Sequence, residues 1–185
     1  MTIGFDLDKI FINTPPLIPN SIIQRLYGQK INGKLVYRIP SQPEQVFRKM
    51  THHPLFRPPI KSNLNFLKSI SKENNKLYLI SSRYGFLKKE TNQVITHYGL
   101  DKIFDGLYFN FSNEQPHVFK NKLLKELHLD IYVDDDLSLL QYVAKDNPKT
   151  KFFWLETDEY AHALKQHKNL HPNVVPIRQL AHIFS

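Results

Sequence analysis

From residue 61 onward the chain alternates two hydrophobic periods, and this alternation restricts what it can fold into more than any other feature. Lys76 to Ser81 (KLYLIS) is a short β-rich run, after which Leu87, Val94, Ile95 and Tyr98 fall on one helical face before Gly99 offers a stop. Gly106 to Phe111 reads as the next strand, Phe119, Leu123, Leu124 and Leu127 as the next helical stripe, and DIYVDDD as a strand ending in the acids Asp134, Asp135 and Asp136. Leu137 to Lys145 predicts a helix that ends before Asn147 and Pro148, and Lys151 to Leu155 a strand. Val174 to Ile177 reads as a last edge strand, since Pro176 lacks the amide a central strand needs. Strands that alternate with helices imply an α/β fold, a mostly parallel sheet flanked by helices on both faces.

The start of the chain adds a chemical feature. Ile3 to Leu7 is a short apolar run carrying Asp6, with Asp8 just beyond it. As a strand, its side-chain period of two places both carboxylates on one face at the C-terminal end, where open α/β sheets bind ligands. A D-x-D pair by itself is equally a solvated turn after a strand.

Residues 13–60 do not fit the alternation. They are rich in proline (Pro15, Pro16, Pro19, Pro40, Pro43, Pro54, Pro58, Pro59), with a helix expected over Ser21 to Tyr27, a turn at Asn32-Gly33 and a strand over Leu35 to Arg38. Ser41 and Glu44 have capping-box spacing and predict a helix running to about Thr51. About 45 residues greatly exceed the roughly 2–6 of an ordinary βα connection; insertions of such length are usually functional lids or disordered, and the aromatic content here argues for order. The expected organisation is a core of residues 1–14 and 61–185 with a small cap at 15–60. There is no internal repeat or low-complexity segment.

The chain has 185 residues, 41% apolar and 12% aromatic, enough for one domain with a full core. It has no cysteine, which excludes disulfides, thiolate metal sites and cysteine nucleophiles and leaves oxygen- or histidine-ligated metals. No apolar run approaches the roughly 20 residues of a membrane helix, and the first apolar stretch contains acids where a signal peptide has bases, so no membrane partner and a cytoplasmic location are expected. The formal charge of +8, from 25 Lys and Arg against 17 Asp and Glu, favours anionic ligands such as phosphate esters or, with weaker support, nucleic acid. A Lys- and Asn-rich composition arises equally from coding bias.

Each chemically distinctive group lies at or near a strand end or a helix start, in the order Asp6 and Asp8, then Ser81 with Ser82 and Arg83, then Lys120, then Asp134 to Asp136. This order resembles the haloacid dehalogenase-like (HAD) superfamily, mostly Mg²⁺-dependent phosphatases on a Rossmann-like sheet. GFDLDKIF is similar to the family's first motif, LYLISSR to its second, the lysine that precedes NKLLKEL to its third and IYVDDD to its fourth, so the resemblance spans nearly the whole chain. It implies Asp6 as a nucleophile forming an aspartyl-phosphate, and Asp8 as the acid and base. Ser81 and Lys120 would hold the phosphoryl group, with Ser82 beside them and Arg83 as a secondary anion contact. Asp6, the backbone carbonyl of Asp8, and Asp134 or Asp135 would hold Mg²⁺. Alignment of VDD on the family's hydrophobic-Gly-Asp form makes Asp135 the direct ligand and Asp134 its supporter, though the paired form fits either. Asp136 is more simply the N-cap of the next helix.

In one place the sequence departs from that pattern. Lys9 and Ile10 follow Asp8 where the family usually has Gly and then Thr or Val, so a bulky cation stands at the residue with most backbone freedom. Lys9 reads as a solvent-facing residue or a substrate contact. His52 and His53, near Arg57, are within reach of a substrate phosphate but read as loop residues, and neither is assigned a metal. The expected activity is a Mg²⁺-dependent phosphomonoesterase acting on a small phosphorylated substrate, a nucleotide among the candidates. The alternative is a HAD-like module without turnover that binds nucleic acid or protein through its basic surface.

Overall fold

A computed structural model of the chain describes residues 1–15, 29–31, 34–156 and 170–184. In chain order its strands are β1 (Thr2–Phe5), β2 (Gln29–Ile31), β3 (Lys34–Val36), β4 (Lys76–Ser81), β5 (Gly106–Phe109), β6 (Ile131–Asp134), β7 (Lys151–Leu155) and β8 (Val174–Ile177). The helices are α1 (Gln42–Thr51), α2 (Lys61–Ile70), α3 (Lys88–His97), α4 (Pro116–Leu127) and α5 (Leu137–Ala144). Six strands form one sheet in the order β5-β4-β1-β6-β7-β8, every pair parallel. β2 and β3 form a separate antiparallel pair.

Both faces of the sheet are apolar, as a parallel sheet covered by helices requires. Ile131 and Val133 face one core with Leu77, Leu79, Phe153 and Leu155, and α2 and α3 close it with Leu67, Ile70, Val94 and Ile95. Tyr132 faces the other with Ile80, Phe152 and Trp154, closed by Phe119, Leu123 and Leu124 of α4 and Leu139, Leu140 and Val143 of α5. Gly4, mid-sheet, has a packing reason: a Cβ there would lie 2.5 Å from Leu129 Cδ1 and 2.9 Å from the Tyr132 ring.

The order has a topological consequence. From β1 the chain moves outward through β4 to β5, then returns to the other side of β1 with β6. The switch point between β1 and β6 opens a crevice at the C-terminal ends of the strands. Phe5 pairs with Leu79 on β4 and Val133 on β6, so the residues that follow all three strands meet there.

Several expected boundaries shift for identifiable reasons. β1 ends at Phe5, so Asp6 and Asp8 do not lie on a strand face as the Ile3 to Leu7 reading required. The Asp6 amide still bonds the Val133 carbonyl at 2.9 Å, but the chain then turns, with the Phe11 amide on the Leu7 carbonyl at 3.0 Å. Burial of Leu7, Ile10, Phe11 and Ile12 together drives the turn, because an extended strand would send alternate members to the opposite face. β5 stops at Phe109 because the buried Asn110 side chain bonds the amide of Glu114 at 2.9 Å and its carbonyl at 2.7 Å, building the loop into α4. β3 stops at Val36 because Tyr37 turns to the core, exchanging hydrogen bonds between its backbone and the Gln115 side chain.

α1 starts where the capping box places it, with Ser41 and Glu44 making both reciprocal contacts. Pro176 lies on β8, at the edge of the sheet. The helix expected over Ser21 to Tyr27 and the turn at Asn32-Gly33 lie outside the described residues. The chain departs at Asn13 beside the segment on which it returns: the Asn13 amide bonds the Pro58 carbonyl at 2.8 Å and the Ile60 amide the Phe11 carbonyl at 2.8 Å.

Candidate active site

One cavity of about 250 Å³ collects the groups singled out in the sequence: Asp6, Asp8, Ser81, Ser82, Arg83, Lys120, Asp134 and Asp135 all line it. Parallel pairing explains the convergence, since Asp6 follows β1, Ser81 ends β4, and Asp134 ends β6. Lys120 reaches the cavity from α4, which the Asn110 loop aims back at the sheet.

Lys120 is 3% exposed and bridges two carboxylates, with Nζ 2.7 Å from Asp6 Oδ1 and 2.6 Å from Asp134 Oδ2. Burial opposes its charge, but Asp134 and Asp6 outweigh burial and hold the ammonium well above the ordinary lysine range. Burial likewise pushes Asp6 up to about 7; Lys120 counters that, while Asp134 and Asp135 add to it by like-charge repulsion. Asp134 also accepts the Tyr132 hydroxyl at 3.0 Å and the Asp136 amide at 3.0 Å, so its oxygens are held by the protein. Carboxylate oxygens of Asp6, Asp134 and Asp135 lie within 4.8 Å of one another. Two such charges about 4 Å apart repel by about 4 kcal/mol at an effective dielectric near 20, so the cluster stays ionised only with cations beside it. An all-oxygen, carboxylate-rich donor set suits Mg²⁺ and does not suit softer metals.

Asp8 is held by two guanidinium groups. Arg83 grips it bidentately, Nε to Oδ2 at 2.8 Å and Nη2 to Oδ1 at 2.9 Å, and Arg57 Nη2 also donates to Oδ1. Arg83 does not stand at a helix N-terminus, and an anion that reaches it meets a guanidinium already paired with Asp8. A 3-10 turn at Gly85–Leu87 intervenes before α3, and the Arg83 side chain is spent on Asp8. Ser81 Oγ accepts the Arg83 amide at 3.4 Å. Ser82 Oγ, Tyr84 Oη and Arg57 Nε are buried with no hydrogen-bond partner among the described residues, and all three residues line the cavity. Buried polar groups without partners are costly, and a polar ligand would satisfy them.

Asp136 is the N-cap of α5, accepting the Leu139 amide at 3.0 Å, and it also accepts the Tyr37 hydroxyl at 2.7 Å. Lys9 is neither solvent-facing nor open to substrate as a free side chain. It is 6% exposed, with Nζ 3.5 Å from Asp135 Oδ2.

The segment before residue 61 also lines the cavity, through Tyr37, Arg38, Glu44, Phe47, Arg48, His52 and Arg57. His52 lines the cavity but is held neutral: burial pushes it well below the ordinary histidine range, helped by Arg83 and Arg48. His53 instead caps the 3-10 turn at Pro54–Phe56. Sequence reasoning missed Tyr37, Arg48 and Tyr84. Arg48 had a readable signal, because the capping box sets the phase of α1, and Glu44, Arg48 and His52 then recur at i, i+4 on one face. Arg38 pairs with Glu44, whereas Arg48 makes no ion pair with a described residue, and burial lowers it to about 10.

No family model and no curated protein matches the chain. Solved structures do. A HAD hydrolase of family IA, variant 3, from Entamoeba histolytica is 13% identical over 98% of this chain and 94% of its own, with a TM-score of 0.63. A haloacid dehalogenase-like hydrolase from Streptococcus pneumoniae is 14% identical over 99% and 96%, with a TM-score of 0.62. The D,D-heptose 1,7-bisphosphate phosphatase of B. bronchiseptica, solved with magnesium and phosphate, is 12% identical over 98% and 94%, with a TM-score of 0.58. At such identities the likeness is one of fold.

Proposed function

We propose that this chain, which has the haloacid dehalogenase-like fold, hydrolyses small phosphomonoesters through an aspartyl-phosphate on Asp6. The observation that carries this reading is the convergence of Asp6, Lys120 and the Asp134–Asp135 pair at the switch point, in a cavity that is also lined by arginines and holds unsatisfied polar atoms. Residues 15–60 serve as the cap that selects the substrate, with Arg48 and Arg57 on its contacting surface.

Asp6 Oδ attacks phosphorus while the ester P–O bond breaks; Lys120 and the Ser81 hydroxyl hold the phosphoryl oxygens as charge moves between them. Asp6, the carbonyl of Asp8 and Asp135 would hold Mg²⁺, with Asp134 supporting through Lys120. When bound, the ion supplies charge neutralisation for Asp6 and the phosphate. The arriving dianion competes with Asp8 for Arg57 and Arg83; the exchange frees the Asp8 carboxylate, which takes up a proton from solvent, passes it to the leaving oxygen and is then a carboxylate again, ready to take one from the attacking water. A cavity of about 250 Å³ suits a small substrate.

A screen of phosphorylated metabolites with and without Mg²⁺ tests the proposal. Asp6→Asn should abolish turnover with the fold intact, and Asp8→Asn should slow alkyl phosphates far more than aryl phosphates, whose leaving group needs little protonation. Undiminished turnover in Asp6→Asn would sink the mechanism.

A further inference from the structure

Lys9 combines features that rarely coincide in a lysine. Its backbone lies in the left-handed region at φ 59°, where a Cβ is strained. The loop enforces that conformation: the Lys9 amide donates to the Ile12 carbonyl at 2.7 Å, and Asp8 and Ile12 form a bridge that closes the turn. The side chain is buried, and its ammonium lies 3.5 Å from Asp135 Oδ2. Trp154 Nε1 donates to the Asp135 carbonyl at 3.1 Å, fixing the backbone that presents this carboxylate.

The pairing is informative because of which carboxylate is involved. Lys120 pairs with Asp6 and Asp134, and Lys9 pairs with the third member. Buried ions persist where they are paired, and a triad of carboxylates needs more than one positive charge to remain ionised in so small a volume. An ammonium on a four-carbon stem is compact and can be withdrawn, unlike a guanidinium locked in a fork.

We infer that Lys9 is a tethered cation that takes the place of a divalent ion at Asp135, so that any divalent ion binding the triad must first displace it. This rests on the reading of Asp6, Asp134 and Asp135 as the metal site. It goes beyond that reading in making this chain a weak divalent-cation binder whose acid cluster is held together by its own lysines. Metal affinity is then set by a residue that is not itself a ligand, acting through mutual exclusion and like-charge repulsion.

Calorimetric titration with Mg²⁺ and with Mn²⁺, in the absence of substrate, tests the inference. Lys9→Met, which keeps the apolar stem and removes the charge, should bind either ion at least ~10-fold more tightly than the unaltered chain, a difference of ~1.4 kcal/mol. Lys9→Arg, which keeps the charge in a fork that is harder to withdraw, should show no such gain. The gain should vanish in Lys9→Met/Asp135→Asn, which lacks the carboxylate in dispute. Lys9→Met should also be less stable without metal and recover with saturating Mg²⁺, read as a thermal shift. Should Lys9→Met fold poorly, Lys9→Gly replaces it, since glycine accepts the positive φ without strain. Indistinguishable affinities for the unaltered chain and the neutral variants, including no binding heat from either, overturn the inference. That result leaves the phosphatase reading to stand or fall on Asp6-dependent turnover, which is measured separately.

Discussion

Replacement of Lys120 by methionine tests the electrostatic logic of the site more directly than any activity measurement. Lys120→Met preserves most of the aliphatic stem, whose ammonium lies 5.7 Å from the centre of the Tyr132 ring, and deletes only the charge. The lost contacts are those at 2.7 Å to Asp6 and 2.6 Å to Asp134, both from a side chain 3% exposed. Removal of one partner from a buried ion pair costs about 3–5 kcal/mol, because the other charge is left buried without compensation. For a domain of this size each kcal/mol moves the melting temperature by roughly 2–4 °C, so a loss of about 6–20 °C is expected. Thermal and urea unfolding, both followed by the fluorescence of Trp154, the sole tryptophan and 1% exposed, measure the melting temperature and the free energy respectively. Asp134→Asn in the Lys120→Met background should recover part of the loss by removing one stranded charge, and Mg²⁺ should recover more in Lys120→Met than in the double variant. A loss below about 1 kcal/mol, the range of an exposed pair, would refute the claim that Lys120 is the structural counter-ion of the triad.

Asp6 also links pH to stability. Because burial raises it to about 7 in the folded state from 3.8, the folded chain binds that proton more tightly than the unfolded chain, and the associated stability, full below pH 3.8, is lost as pH rises through about 7. Asp6→Asn should therefore melt at nearly the same temperature as the unaltered chain near pH 4 and increasingly higher toward pH 8 in metal-free buffer; a difference that does not change with pH contradicts the assignment. Arg48→Ala, which removes a cavity-lining guanidinium without an ion pair among the described residues, should raise KM for anionic substrates about tenfold while leaving kcat within about twofold, the pattern of lost uniform binding. Equal KM with a lower kcat would place Arg48 elsewhere in the reaction.

Local patterns made much of this molecule legible. The strand and helix periods from residue 61 place β4 to β8 and α3 to α5 close to where they lie, because each element's register with its neighbours follows from burying apolar side chains on both faces of one sheet. Asp136 as a helix cap and Ser41 with Glu44 as a capping box were equally readable, since capping is chemistry between residues three positions apart. Less legible was everything that depends on where a side chain goes after the backbone turns. Leu7 was read as strand, yet the chain bends there to bury Ile10, Phe11 and Ile12 on one side. Arg83 was read as an anion contact, and nothing near it in sequence signals that its fork also grips Asp8. Arg57, 49 residues from Asp8, reaches the same carboxylate.

What the sequence determined by itself is the set of elements and the order of the acids, hydroxyls and lysine along them, because hydrophobic period, capping and turn chemistry act over a few residues. Parallel pairing then allows little freedom in bringing those strand ends together. What only the tertiary structure decided is which charge neutralises which. Lys120 could have met either acid group and met both; Lys9 could have faced water and is turned inward to Asp135 by a left-handed residue in a closed loop. Ion pairing among buried groups depends on distances of a few ångströms between segments far apart in sequence, and electrostatic energy in a low-dielectric cavity changes steeply over those distances.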